Sequence, residues 1–142
     1  MAAFNRFNVF SKDLVNGTHK FGSDVFKVML SNVLPVATFQ VLTDITEIVS
    51  GGTTGYTAGG TATTLTLTTT AAITKAAASN VTFTGGAGTM GPFQYAVLYN
   101  TTPTSPLKPL IAWWDYGTPI TLANTEQFVV GFDATNGVFT LA

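Results

Sequence analysis

The chain has 142 residues, enough for one domain with a hydrophobic core; 46% of them are hydrophobic and only 9% are charged. Soluble domains typically carry about 25% charged residues, so we expect other proteins to cover much of this surface. The six Lys and Arg residues are scattered along a chain of net charge −1, which excludes the basic stripe of a nucleic-acid-binding protein.

Cysteine is absent, which excludes disulfides, thiolate metal sites and cysteine nucleophiles. The N-terminus lacks the basic region and apolar run of a signal peptide. No apolar stretch approaches the roughly 20 residues that a membrane helix needs. We therefore expect a protein that is made in a reducing cytoplasm and has no membrane partner.

Residues 4–16 form the one candidate helix. Phe4, Phe7, Phe10 and Leu14 recur at spacings of three and four, which places them on one helical face. An extended N-terminal arm is the alternative, because Phe and Asn are mediocre helix formers. In either form this aromatic segment is suited to anchoring on a neighbour, so we predict that Phe4, Phe7 and Phe10 contact another protein.

The next fifty residues alternate between strand and loop signals. Residues 23–31 have the pattern of a strand, and residues 32–39 form a loop interrupted by Pro35. Residues 40–49 are compatible with a short helix. A loop rich in Gly and Thr follows over residues 51–60.

From residue 61 onward the pattern is of strands. Threonine alternates with apolar residues over 61–70, and a second strand run ends at residue 84. The dipeptide Asn136-Gly137 is the strongest short hairpin signal in the chain. It predicts that a strand over residues 127–133 pairs with one over 138–141.

Residues 91–117 predict a long central hairpin, with Pro103, Pro106 and Pro109 in the connection between its arms. Both arms are rich in aromatic and β-branched residues. Trp113 and Trp114 should point to opposite faces of the second arm. The same rule sorts the other residues of the two arms by face. In the first arm, one face carries Phe93, Tyr95, Val97 and Tyr99, and the other carries Ala96 and Leu98. In the second arm, one face carries Leu110, Ala112, Trp114 and Tyr116. Such a pair, apolar on both faces, belongs in the middle of a sandwich or barrel.

The predicted fold class is therefore mainly β. Turn signals every 8–12 residues or so favour a single antiparallel β-sandwich or barrel-like domain with a short N-terminal helix or arm. We assign residues 1–142 to one domain, in which residues 1–20 form the helix or arm and residues 21–142 the β core.

Catalytic chemistry has little support in the sequence. His19 is the only histidine, and no pattern marks a nucleophile beside it, so a surface or packing role is favoured. Asp115, next to Trp113 and Trp114, is the only acid in a setting that would suit a sugar site, but an aromatic core strand with one polar residue near its end is the favoured interpretation. We predict no catalytic residue, no cofactor and no metal ligand. We expect one indole in the core and leave the other open to a core, oligomer-contact or platform role, with Trp113 as the contact candidate.

Several segments resemble small virion structural proteins of tailed bacteriophages. They are residues 23–30 (Ser-Asp-Val-Phe-Lys-Val-Met-Leu), 55–60 (Gly-Tyr-Thr-Ala-Gly-Gly), 91–100 (Gly-Pro-Phe-Gln-Tyr-Ala-Val-Leu-Tyr-Asn), 109–117 (Pro-Leu-Ile-Ala-Trp-Trp-Asp-Tyr-Gly) and 133–142 (Asp-Ala-Thr-Asn-Gly-Val-Phe-Thr-Leu-Ala). The resemblance covers most of the chain. It implies a virion component made in the host cytoplasm, and it transfers no active-site residues.

We therefore expect a non-enzymatic protein, first of all a capsid decoration (cement) protein. Its partner would be the major capsid protein on the outside of the assembled head, and it would act as a homo-oligomer with no nucleic-acid partner. A tail-tube, tail-tip or connector subunit bound to tail proteins is the first alternative. A receptor- or carbohydrate-binding module that uses Trp113 or Trp114 is the second.

Overall fold

The structure is a computed structural model that describes residues 2–142. It is mainly β, with antiparallel sheets, one short helix near the N-terminus and a sandwich-like arrangement. The predicted fold class is thus confirmed. No closed barrel occurs within residues 2–142, which decides between the two predicted architectures.

Residues 2–142 form ten strands, one α-helix and one 3₁₀ turn. In chain order they are β1 (Asn5–Arg6), α1 (Asn8–Val15), β2 (Phe26–Ser31), the 3₁₀ turn (Leu42–Asp44), β3 (Thr61–Thr63), β4 (Leu65–Thr70), β5 (Ile73–Ala78), β6 (Val81–Thr84), β7 (Met90–Asn100), β8 (Leu110–Leu122), β9 (Gln127–Val130) and β10 (Phe139–Leu141).

The strands form three sheets. The largest has five strands in the order β1-β8-β7-β2-β3, the second has three in the order β10-β5-β4, and the third pairs β6 with β9. All pairs are antiparallel. The strand predicted over 23–31 is thus confirmed as β2, whereas the possible helix over 40–49 is only a 3₁₀ turn.

The predicted central hairpin is confirmed as β7 and β8. Trp113 and Trp114 lie on opposite faces of β8, as expected, and belong to two different hydrophobic clusters. Two facing predictions are wrong because the β7–β8 ladder shifts register twice near Phe93 and once between Leu98 and Tyr99. Phe93 therefore faces away from Tyr95, and Leu110 faces away from Trp114.

Two hydrophobic clusters lie on the two faces of the five-stranded sheet. The first contains residues from all three sheets, including Val28, Leu98, Trp114, Ala76, Val81 and Val130. The second is smaller and contains Phe7, Met29, Ile45, Tyr95, Val97, Tyr99, Leu110 and Trp113. The sheet is therefore buried on both faces, which explains why its central strands are apolar throughout.

The N-terminal segment differs from the predicted helix over residues 4–16. The helix begins only at Asn8, and Phe7 at its N-cap has extended backbone angles. Backbone hydrogen bonds from Phe7 N–H to Ile111 C=O (3.2 Å) and from Asn8 N–H to Ala37 C=O (2.8 Å) hold this extended stretch against β8 and a loop. Pairing with β8 thus overrides the helical period, and Phe7 and Phe10 enter different clusters.

The predicted hairpin at Asn136-Gly137 is wrong as a strand pairing. The turn itself forms, because the Asp133 carboxylate accepts hydrogen bonds from the backbone N–H groups of Thr135 and Asn136 at 2.7 and 3.1 Å. The strands that flank the turn diverge, however: β9 pairs with β6 and β10 pairs with β5. Long-range packing therefore decides the partners, while the local sequence decides only the turn.

A glycine allows β2 to lie close to the loop before β3. Gly60 has φ +75°, and a Cβ there would overlap the backbone oxygen of Val28 and lie 2.7 Å from the Cα of Met29. Gly17, after α1, has a similar φ of +70°, but a Cβ at that position would meet no atom within 4 Å. The two glycines thus share a backbone conformation and differ only in crowding.

We predict that Gly60→Ala lowers the free energy of unfolding by about 1–3 kcal/mol more than Gly17→Ala does. Both changes meet the cost of positive φ, about 1–2 kcal/mol, but only the first also forces β2 away from the loop. Urea unfolding of both variants measures the difference. Equal losses would contradict a close approach at Gly60.

Candidate functional site

Most of the four residues predicted to contact another protein are packed inside this one. Phe7 and Phe10 are buried, and the Phe7 ring lies 4.5 Å from that of Trp113, which is only 9% exposed. Phe4 is 37% exposed and packs edge-on against Trp114 at 5.9 Å. This burial corrects the expectation that the whole aromatic segment faces a neighbour. Phe4 alone presents substantial surface, and its contact with a partner stays a prediction.

Neither indole offers a binding platform in this conformation. Trp113 packs against Phe7, and Trp114 packs between the rings of Phe4 and Phe132, at 5.9 and 5.4 Å. Both side chains are buried. Stacking a sugar ring on an aromatic face requires that face to be open, so the geometry gives no support to a carbohydrate site here.

His19 lies in a buried polar cluster beneath α1. Its ring lies 5.5 Å from that of Phe10 and 5.8 Å from that of Phe21. The Asn100 amide nitrogen donates to the Asp24 carboxylate at 2.6 Å and lies 3.3 Å from Nδ1 of His19. Since that nitrogen is a donor, Nδ1 accepts, and the neutral ring carries its proton on Nε2.

Burial determines the protonation state of His19. Nε2 of His19 has no hydrogen-bond partner among the described residues. Burial lowers the pKa of His19 to about 4, although the nearby Asp24 carboxylate acts in the opposite direction. A neutral ring between Phe10 and Phe21 is suited to packing in the core.

The carboxyl groups of Asp13 and Asp115 have pKa values shifted in opposite directions. Burial raises the pKa of Asp13, with Lys12 opposing, and Oδ2 of Asp13 has no partner within residues 2–142. Asp115 is exposed, and hydrogen bonds from the Gln94 amide (2.9 Å) and the Gly117 N–H (2.7 Å) lower its pKa. A general acid needs a raised pKa, so Asp115 is unsuited to that role. The described residues contain no group of three or more His, Cys, Asp or Glu side chains that would hold a metal ion.

The surface feature best suited to a partner is an apolar groove at the end of the five-stranded sheet where β2 ends and β7 begins. We call it the end groove; Val33, Ile48, Val49 and Pro92 form its apolar lining, and its volume is about 200 Å³. Val33 is 53% exposed and Val49 is 76% exposed. Leu34 and Val36, on the same loop as Val33, are also exposed. Exposed aliphatic side chains grouped in this way are typical of interaction surfaces.

Ser31, the last residue of β2, holds the two loops of the end groove together. Its buried hydroxyl lies 2.6 Å from the Thr46 carbonyl, to which it donates, and accepts the Val33 N–H at 3.1 Å. The Ile48 N–H donates to the Leu30 carbonyl at 3.2 Å, which fixes the second loop on β2. The valine side chains are therefore presented by loops whose backbone is anchored to the sheet.

The one acidic side chain at the end groove is already engaged. Glu47 accepts a hydrogen bond from the Tyr56 hydroxyl at 2.7 Å and another from the Gly59 N–H. The same Tyr56 oxygen accepts the Leu30 N–H at 3.1 Å, and Tyr99 donates to the Gly59 carbonyl at 2.7 Å. This network turns the carboxylate towards the protein, so the groove is left apolar in character.

Sequence reasoning missed the end groove. The signal that would have found it is the run Val33-Leu34-Pro35-Val36, an apolar stretch inside a segment predicted to be a loop. Loops usually carry polar residues because they lie on the surface. An apolar loop therefore indicates either a buried segment or an interaction surface, and only the structure distinguishes the two.

Comparison with protein-family models, with characterised proteins and with solved structures gives no match for this chain. Among residues 2–142, no helix has both the length and the apolarity needed to cross a membrane. What bears on function is therefore the composition, the resemblance of several segments to virion structural proteins and the geometry of the surface.

We predict that the stability of the fold decreases as the pH falls from about 6.5 to about 4, by on the order of 3 kcal/mol from His19 alone. In that window the unfolded chain binds a proton at His19 and the folded chain does not, so protonation favours unfolding. Urea unfolding at several pH values measures the slope, and His19→Gln should remove it.

The pH dependence contributed by Asp13 must be separated from that of His19 in this experiment. The raised pKa of Asp13 means that the folded chain keeps a proton that the unfolded chain loses, so its contribution falls as the pH rises above the usual aspartate range. That trend opposes the trend of His19, and it cancels when the wild type is compared with His19→Gln. The same pH slope in both proteins would contradict the assignment to His19.

Proposed function

We propose that this protein is a non-enzymatic virion structural protein that decorates the head of a tailed bacteriophage. In this proposal it acts as a homo-oligomer on the outer surface of the assembled capsid, and its partner is the major capsid protein. Stabilisation would come from apolar area buried at junctions between coat subunits, repeated over many sites.

The observation that carries the proposal is the end groove. Burial of an exposed valine side chain contributes about 1.5–3 kcal/mol, and Val33 and Val49 lie on backbone that is already fixed by Ser31 and β2. A partner that docks there therefore loses little chain entropy on the side of this protein. The low charged fraction of 9% also supports extensive protein contact.

A tail or neck subunit is the second candidate. The long hairpin, with strands Met90–Asn100 and Leu110–Leu122, and the position of β4 at the edge of its sheet favour it. Ring-forming subunits extend their sheets across neighbours, which requires such an edge. Co-sedimentation with capsids and with tails separates the two candidates.

Co-sedimentation of the purified protein with capsids, and separately with tails, from the same virus tests the proposal. We expect saturable binding to capsids, and we expect Val49→Lys to weaken it by about tenfold or more, because a charge would have to be buried or displaced. Binding to tails alone would support the tail or neck candidate instead.

The matched control is Val15→Lys. Val15, at the end of α1, is 87% exposed and lies on a different element from the end groove. It should leave the affinity for capsids unchanged. Equal losses in the two variants, or no binding of the wild type to capsids, would contradict capsid decoration through the end groove.

A further inference from the structure

The outer edge of β4 is unusually unprotected. β4 ends the three-stranded sheet, and its sequence Leu-Thr-Leu-Thr-Thr-Thr contains no charge, proline or glycine. Other edge strands are shorter: β1 has two residues, β3 and β10 have three each, and β6 and β9 of the two-stranded sheet have four each. The part of β8 beyond its pairing with β1 carries Asp115, Gly117 and Pro119. Those features are the usual protection against edge pairing, and β4 has none of them.

The register of β4 and β5 shows which backbone groups face outward. The Ser79 N–H donates to the Thr64 carbonyl at 3.1 Å, just before the pair of Leu65 and Ala78. Hydrogen-bonded pairs alternate along an antiparallel ladder. Leu65, Leu67 and Thr69 therefore direct their N–H and C=O groups away from β5.

The next strand confirms this alternation. Ala76 lies opposite Leu67, and its carbonyl accepts the Val138 N–H at 2.7 Å on the far side of β5. No backbone or side-chain group of the described residues bonds to the outward N–H and C=O groups of β4. These groups form an open template for another strand.

We propose that β4 pairs antiparallel with β4 of a second copy of this chain, with Leu67 on the twofold axis. Residues that face each other in such a pair must point to the same side of the sheet, which places Leu67 opposite Leu67 and Leu65 opposite Thr69. This register satisfies the outward groups of all three residues with about six hydrogen bonds. It joins two three-stranded sheets into one continuous sheet.

The side chains of β4 suit a copy of the same strand. Leu67 is 50% exposed although its neighbour Ala76 is buried, and the axis would bring its apolar surface onto its own copy. Thr66 would face Thr68 across the interface, and the Thr69–Thr74 hydroxyl contact at 2.9 Å shows that threonine pairs already link this sheet. Like charges across a strand pair are destabilising. A strand without charge has no such repulsion at a twofold axis.

The inference does not depend on the proposed function, because it concerns self-association of the purified protein. Pairing through one six-residue edge buries less than the roughly 1,200 Å² of a standard stable interface. The dimer should therefore be weak when free in solution, so covalent trapping is the appropriate test.

Cysteine trapping is direct because the chain has no cysteine of its own. In Leu67→Cys the two Cα atoms would lie about 5.5 Å apart, within the range that a disulfide spans. In Thr69→Cys they would lie about 14 Å apart, since the residues are offset by four positions. We expect Leu67→Cys to form disulfide dimers under mild oxidation about tenfold faster than Thr69→Cys or the exposed control Val15→Cys.

A second variant tests the same edge without a covalent bond. Leu67→Lys should shift sedimentation velocity profiles at high protein concentration from dimer towards monomer, while its far-UV circular dichroism stays unchanged. Thr69→Cys dimers that form as fast as Leu67→Cys dimers, a dimer insensitive to Leu67→Lys, or a wild type that stays monomeric at about 1 mM would each overturn the proposal. Binding of β4 to capsids or tails without self-association would overturn it as well.

Discussion

The burial of both faces of the β7–β8 pair is the constraint on which the rest of the structure depends. Trp113 and Trp114 are adjacent in sequence, yet each enters a separate hydrophobic cluster. A sheet with two apolar faces must be covered on both. The two smaller sheets, together with Phe10 of α1, cover one face, and Phe7 with the loop after β2 covers the other. Phe7 is buried for this reason, since it closes the second cluster against Trp113.

This mode of coverage also explains where the apolar surface lies. A loop that covers a sheet buries one side of itself, as Pro35 does, and leaves its neighbours Val33, Leu34 and Val36 in solvent. With charged residues at only 9% of the chain, few polar side chains are available to shield such positions. The end groove is thus a consequence of covering the second face with loops rather than with a polar-faced sheet.

The sequence predicted the parts of this fold that depend on local pattern, and it failed where distant strands decide. The central hairpin follows from the β-rich arms and the prolines between them, and both indoles point as the period-two rule requires. Gly91 and Pro92, which lie beside the register shifts near Phe93, are residue types that often mark a bulge, but the period-two rule takes no account of them. The diverging strands around Asn136-Gly137 are set by β5 and β6. The candidate contact residues were poorly predicted, because hydrophobic spacing cannot distinguish a side chain that closes a core from one displayed to a partner.

The end groove and the outer edge of β4 offer different residues and different kinds of contact to a partner. The end groove offers side chains of Val33 and Val49, whereas the edge of β4 offers backbone groups of Leu65, Leu67 and Thr69. A partner bound at the end groove therefore leaves the backbone groups of β4 free, and a partner bound at β4 leaves the valine side chains of the end groove free. A dimer formed through β4 would carry two end grooves, and two linked weak contacts on a repeating lattice can exceed the affinity of either by about 10²–10⁴. On a capsid, such a dimer would need only modest affinity at each groove to remain bound.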